Sequence, residues 1–157
     1  MLVRPLKGRK DFQTAQALIK SCYFLPKRTW SKNLYEMALD GLIGHKWIGI
    51  GIFDEENNLI SYLDYKHVEP YKIEFGICCT DKSYRGHGYM TQLLQYVIDK
   101  NLNCDFTIGT YEGNDAMIHC IKSVGFEEDY LVDGDRVDGR NSIHYIRKRQ
   151  AEQELFV

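Results

Sequence analysis

Apolar and polar positions along the chain fall into two periods that trade places several times. Leu2 to Leu6 reads as a short first strand. Phe12, Ala15, Leu18, Ile19 and Cys22 then recur at helical spacing, with Asp11 ahead of them as an N-cap. Pro26 closes that helical region. A second helix begins at Ser31, where Trp30 can staple onto Tyr35 and Leu34, Met37 and Ala38 supply the stripe. From Trp47 the period is two. Trp47–Phe53, Leu59–His67 and Lys72–Thr80 read as strands, broken by the turn Glu55-Glu56-Asn57-Asn58 and by Pro70. Their short connections make them antiparallel.

The second half alternates helix and strand. Met90, Leu93, Leu94, Val97 and Ile98 sit at i, i+3, i+4, i+7 and i+8, the clearest amphipathic signal in the chain. Phe106–Thr110 is again a strand, so strand, helix and strand predict a parallel pair with a right-handed crossover. Asn114 caps a further helix with Met117, Ile118, Ile121 and Val124 inward. Gly125 is its C′ residue, and Phe126 folds back on Ile121 in a Schellman stop. Asp129–Val132 and Ile143–Arg147 form a last hairpin around Asp133-Gly134-Asp135. There is no repeat, linker or low-complexity tract. The 157 residues therefore predict one α/β (α+β) domain over residues 1–150, with a tail at 151–157 that is a possible homodimer contact.

Composition removes several function classes. Hydrophobic residues at 44% and charged residues at 27% are ordinary for a globular chain, which excludes disordered and fibrous types. A net charge of -2 argues against a nucleic-acid partner. The one tight basic cluster, Arg147-Lys148-Arg149, reads as a solvated strand end. No apolar run approaches the roughly 18 residues of a membrane span, and the N-terminus has no signal-peptide core, so no membrane partner is expected. Five cysteines, an odd number with no CxxC, fit a reduced, cytoplasmic setting. Cys78-Cys79 and His119-Cys120 are adjacent pairs, which is not the spacing of zinc ligands, so no metal is expected.

The chemistry concentrates between Ile73 and Met90, where a strand runs through a glycine-rich turn into a helix start. Free N–H groups and a positive dipole end make that a place for an anion. Gly86 and Gly88 let backbone approach a phosphate, and Arg85 and His87 add donors. A P-loop would need Gly-Lys-Ser or Gly-Lys-Thr, and neither is present. A dinucleotide fingerprint starting at Gly86 would need glycine where Thr91 stands.

Arg85-Gly86-His87-Gly88, with Asn114 and Gly125-Phe126 downstream, resembles the GNAT superfamily of acyl-CoA-dependent N-acetyltransferases. The similarity covers nearly the whole chain in element order. It implies a mixed central sheet of about six or seven strands with helices on both faces, and acetyl-CoA as the acyl donor. It implies that the turn from Arg85 through Gly86 and His87 to Gly88, with Tyr89 and Met90, binds the coenzyme pyrophosphate. Met90 stands where the family has Gly or Ala. Cys78, Cys79 and Thr80 fall where family backbone amides pair with the pantetheine arm and polarise the thioester carbonyl. Asn114 and Gly125-Phe126 match a second family segment, in which Met117 replaces a small residue and Ile121 replaces a Tyr that acts as general acid.

Glu74 is the candidate catalytic residue. It interrupts an apolar strand, and alternation puts it on one face with Gly76, Cys78 and Thr80. A charged side chain there needs a partner or a solvated cleft. In the histone-acetyltransferase branch of the family a Glu at this spacing is the general base. An alkyl ammonium titrates near 10.4 and must lose a proton before it can attack. The competing reading is a solvent-facing or salt-bridged Glu. Cys78 and Cys79 lack a sequence-evident His partner, which favours small apolar fillers over acyl-Cys nucleophiles. The resemblance implies a small-molecule or peptide amine acceptor, held near Tyr23, Phe24, Trp30 and Tyr35 or by Asp64, Glu69, Asp133, Asp135 and Asp138. Core aromatics and turn acids are the plainer account of those residues. A non-catalytic acyl-CoA sensor, or an interaction domain without a coenzyme site, remains an alternative.

Overall fold

The two hydrophobic periods become strands and helices close to their expected places in a computed structural model, which describes residues 1–22, 47–136 and 139–150. The helix expected from Ser31, the stop at Pro26, the aromatics Tyr23, Phe24, Trp30 and Tyr35, Asp138 and the 151–157 tail lie outside the described residues. In chain order the elements are β1 (Leu2–Pro5), α1 (Gly8–Cys22), β2 (Ile48–Phe53), β3 (Leu59–Glu69), β4 (Lys72–Thr80), α2 (Tyr89–Asp99), β5 (Asp105–Tyr111), α3 (Asp115–Ser123), β6 (Glu127–Val132) and β7 (Ser142–Arg147). The seven strands form one sheet in the order β1-β2-β3-β4-β5-β7-β6. The pairs β1/β2, β2/β3, β5/β7 and β6/β7 are antiparallel, and β4/β5 is parallel, as its connection through a helix requires. No helix of the described residues is long and apolar enough to cross a membrane.

The chain divides into two compact units, Met1–Lys66 with Gly76–Leu93 and His67–Phe75 with Leu94–Val157. In the first, Ala15, Leu18 and Ile19 of α1 join Trp47, Phe53, Leu59, Tyr62, Ile77 and Cys79 in a buried cluster, with Phe12 and Cys22 packed beside it. Asp11 is not the N-cap of α1. It sits inside the first turn and reaches back, accepting the Lys7 N–H at 2.8 Å and the Arg4 guanidinium at 2.7 and 3.2 Å. The Arg4 contact, first among these, holds the Asp11 carboxyl below the usual carboxylate range. The helix begins at Gly8, ahead of the expected start, and Asp11 accepts the amide just before the helix rather than the first-turn amides an N-cap serves.

In the second unit Phe75 stacks on Phe106 at 5.8 Å and meets Phe126 edge-on at 6.3 Å. The apolar stripe of α2 is buried at Met90, Leu93, Leu94, Val97 and Ile98. The Schellman stop is formed: Gly125, at φ 94°, donates to the Lys122 carbonyl at 3.1 Å, and the Phe126 N–H reaches the Ile121 carbonyl at 3.4 Å. The basic cluster at the end of β7 is not simply solvated. Arg147 Nε donates to the Val124 carbonyl at the C-terminus of α3, at 3.1 Å. Arg149 donates to Asp105 through its backbone N–H and through Nε and Nη2 of its guanidinium.

Candidate active site

Strand β4 carries the site because its alternation leaves one carboxylate without a place in the core. Ile73, Phe75, Ile77 and Cys79 are buried, as the period of two requires, and Glu74 is half-buried. Cys78 departs from that pattern, being buried although it shares Glu74's parity. Glu74 makes no hydrogen bond or ion pair among the described residues, so it is not a salt-bridged strand residue. It opens into a cavity of about 210 Å³. Thr107 and Gly109 of β5 and Ser142 and His144 of β7 line that cavity with it, together with Asp135 and Arg136 from the β6–β7 connection. Asp135 accepts the Ser142 hydroxyl at 3.1 Å.

Toward its C-terminal end β4 is fixed by side chains. The Ile77 N–H donates to Asp64 Oδ1 at 2.8 Å, and the Tyr62 hydroxyl donates to Asp64 Oδ2 at 2.8 Å. Tyr62 and Asp64 are fully buried. Burial first, then the neighbouring Asp64, pushes the Tyr62 hydroxyl well above its ordinary value, so it remains a donor. Asp64 is therefore a structural acceptor and is not exposed for amine recognition. Ser61 Oγ bonds Thr80 Oγ1 at 2.8 Å and the Cys79 carbonyl at 3.3 Å.

The turn after β4 is built for exposed backbone. Asp81 accepts the Ser83 N–H at 2.9 Å and caps one tight turn at Lys82–Tyr84. Gly86 and Gly88 follow at φ 81° and 79°, each with open space where a Cβ would be. The Gln92 N–H bonds the Gly88 carbonyl at 3.0 Å, so α2 starts there and the N–H groups of its first turn have no helical partner. Arg85, exposed, donates from Nε to the Thr80 carbonyl at 3.1 Å. The ring of Tyr89 lies 6.3 Å from that of Tyr84 and 5.9 Å from that of His87.

Cys22, half-buried at the end of α1, meets the same strand end. Its Sγ lies 3.4 Å from the Thr80 carbonyl and 3.6 Å from Ser21 Oγ. A hydrogen bond with Cys79 is the largest cause of a Cys22 thiol lowered to about 5; burial opposes it, and Ser21 and Arg85 add to the lowering. The Thr80 carbonyl favours the thiol, so it also works against the thiolate. A thiol lowered to about 5 should be a thiolate at neutral pH. Iodoacetamide should alkylate it at a nearly constant rate from pH 6 to 8, where an ordinary thiol gains about tenfold per pH unit. A tenfold-per-unit slope, read by mass spectrometry of the labelled peptide, would show an ordinary thiol instead. Cys79 is the opposite case. The Cys22 contact and burial push its thiol well up, away from the thiolate form.

Asn114 takes the N-cap position of α3 without a side-chain cap; its Nδ2 donates to Thr110 Oγ1 at 3.0 Å instead. Ile121 is fully buried and has no proton to give. Tyr111 is covered by the Arg140 guanidinium at 3.6 Å, His119 is exposed and Cys120 is half-buried. The cavity residues that sequence reading missed are His144, Arg136 and Ser142. A signal was present for His144: Ile143 and Tyr145 are apolar on either side, which puts His144 on the polar face of the last strand.

A family model described as the acetyltransferase (GNAT) family matches residues 13–126. Among curated protein sequences, none matches the chain significantly. Among solved structures, the ribosomal-protein-S18-alanine N-acetyltransferase from Escherichia coli is 16% identical, with a TM-score of 0.78 over 96% of this chain and 95% of that one. A chain of the NatC complex bound to Gag peptide and CoA is 18% identical, with a TM-score of 0.80 over 95% and 98%. A spermidine N-acetyltransferase variant from Vibrio cholerae is 14% identical, with a TM-score of 0.75 over 94% and 95%. All three share the fold.

Proposed function

As the chain belongs to the acetyltransferase (GNAT) family, we propose that it is a cytoplasmic N-acetyltransferase, with residues 1–150 as its working domain. It transfers the acetyl group of acetyl-CoA to a primary amine by direct attack. The acceptor is a small molecule or a peptide, the two classes named for the spermidine enzyme and for the alanine and NatC enzymes that share the fold. The observation that carries this reading is the Glu74 carboxylate in a polar cavity, with no partner among the described residues.

Each residue then has a task. Arg85, Gly86, His87 and Gly88 take the pyrophosphate, aided by the first-turn amides of Tyr89 and Met90. Backbone N–H groups at Cys78, Cys79 and Thr80 hold the pantetheine arm and the thioester carbonyl. Asn114 contributes a side-chain contact to the coenzyme. Glu74 takes the ammonium proton, because the protonated amine has no lone pair to attack with. The CoA thiolate leaves without the acid that Ile121 cannot supply, since a thiol titrating near 8.5 is a tolerable anion.

The test is acetyl-CoA binding followed by turnover. At about 100 times Kd, acetyl-CoA should stabilise the protein by about 2.7 kcal/mol. That corresponds to roughly 5–10 °C in Tm. Arg85→Glu and Gly88→Asp should lose the shift. Release of free CoA over a panel of polyamines, amino acids and peptides then reads the transfer. No shift at millimolar acetyl-CoA overturns the coenzyme site. Binding without turnover of any amine leaves the sensor reading, which the buried Ile121 favours.

A further inference from the structure

The cavity that holds Glu74 has a second proton-handling side chain on its other wall. In the parallel pair β4/β5, Glu74 lies opposite Thr107. In the antiparallel pair β5/β7, Gly109 lies opposite His144. Thr107 and Gly109 are two apart and share one face of β5. Glu74 and His144 therefore stand on the same sheet face, about 10 Å apart across two strand spacings and about 7 Å apart along the strands. β5 is the floor between them, and both residues line the same space.

Among the described residues, packing holds the imidazole. On one side Tyr130 of β6 stacks against it at 4.4 Å and 10°. On the other, Gly109 makes room for it: a Cβ there would come within 3.3 Å of His144 Cε1 and Nδ1. His144 makes no hydrogen bond among the described residues. Among the described residues, the charged and titratable groups around it are Glu74 from β4, Asp135 and Arg136 from the β6–β7 connection, and Tyr130 from β6. β5 contributes Thr107 and Gly109, neither of which titrates.

Amine acetylation needs two protons removed from nitrogen, and one carboxylate removes one. The ammonium loses its first proton before attack. As the C–N bond forms, the thioester carbonyl electrons move to oxygen and the nitrogen becomes positive again. Its second proton must leave before the oxyanion collapses, breaking the C–S bond with its electron pair passing to sulfur. The buried Ile121 takes no part in this exchange.

We infer that His144 is a second catalytic residue of this cavity. It accepts the second nitrogen proton from the wall opposite Glu74 and releases it to solvent while the CoA thiolate departs. The inference rests on amine acetylation taking place in this cavity.

The test uses the full chain with acetyl-CoA and an amine that the wild type acetylates. His144→Ala should lower kcat by about 10²-fold, within the usual range for loss of an acid–base group. It should leave the acetyl-CoA thermal shift in place. Added imidazole should restore a large part of the rate to His144→Ala and none to Glu74→Gln. Gly109→Ala, which displaces the ring by a few tenths of an ångström, should lower kcat severalfold with little change in the KM for acetyl-CoA. Undiminished turnover by His144→Ala overturns the assignment. So does a loss that imidazole fails to restore in a folded variant that still binds acetyl-CoA. A wild type that binds acetyl-CoA and acetylates no amine is a separate result: it overturns the proposed activity, and this inference with it.

Discussion

Glu74→Gln should lower kcat by about 10²–10⁴-fold, the range expected when a general base loses its basicity and little else. The two side chains match in size and reach, so the amide fills the same space at the cavity wall. The carboxylate has no hydrogen-bond or ion-pair partner among the described residues, so the substitution strands no donor. Glu74 is also only half-buried. Substitutions of that kind usually change stability by less than about 0.5 kcal/mol. The acetyl-CoA thermal shift should likewise survive, because the coenzyme is assigned to the Arg85–Gly88 turn and to backbone N–H groups. This combination separates chemistry from folding: a large fall in kcat with Tm and coenzyme binding held. Steady-state rates over a range of amine concentrations measure it. Turnover near that of the wild type would remove Glu74 from the mechanism and transfer the first proton to another group.

What the sequence made legible was whatever depends on local period and local backbone. β4 begins and ends where its apolar alternation does, at Lys72 and Thr80. α2 buries the five residues of its stripe. The Gly125–Phe126 stop follows from one glycine that can take positive φ. Side-chain direction at helix starts was less legible, because other partners compete for the side chains that could cap them. Asp11 is drawn inward by Arg4 and Lys7, and Asn114 is drawn away from its helix by Thr110. Least legible were the features made by pairing register. Nothing near Glu74 in the chain announces His144, which reaches the same cavity only through the Gly109 pairing across β5. The Cys22–Cys79 contact is equally non-local, joining α1 to β4 by packing. The glycine-rich turn shows both limits. Its left-handed glycines could be expected from composition, but its meaning as a coenzyme turn came from the resemblance.

Gly76→Ala should be strongly destabilising, costing about 3–5 kcal/mol. Its φ is not in the left-handed region, so the glycine is not there for backbone freedom. It is there for space. An added Cβ would run into Asp64 Oδ1 and the six-membered ring of Trp47. Neither group can retreat cheaply. Asp64 is fully buried, with one oxygen on the Ile77 N–H and the other on the Tyr62 hydroxyl. Trp47 is buried in the core of the first unit, with the Lys66 ammonium 4.5 Å from its ring. Overpacking alone costs about 1–3 kcal/mol. A carboxyl displaced from a buried donor adds about 1.5–3 kcal/mol for a charge-assisted bond. For a chain of this length the sum lowers Tm by about 6–20 °C. Gly86→Ala is the control, because its Cβ would meet open space and its cost is the left-handed backbone alone, about 1–2 kcal/mol. Thermal unfolding of both variants without ligand compares the two. If Gly76→Ala loses no more than Gly86→Ala, Asp64 and Trp47 move aside easily, and the end of β4 is not pinned by the buried carboxyl.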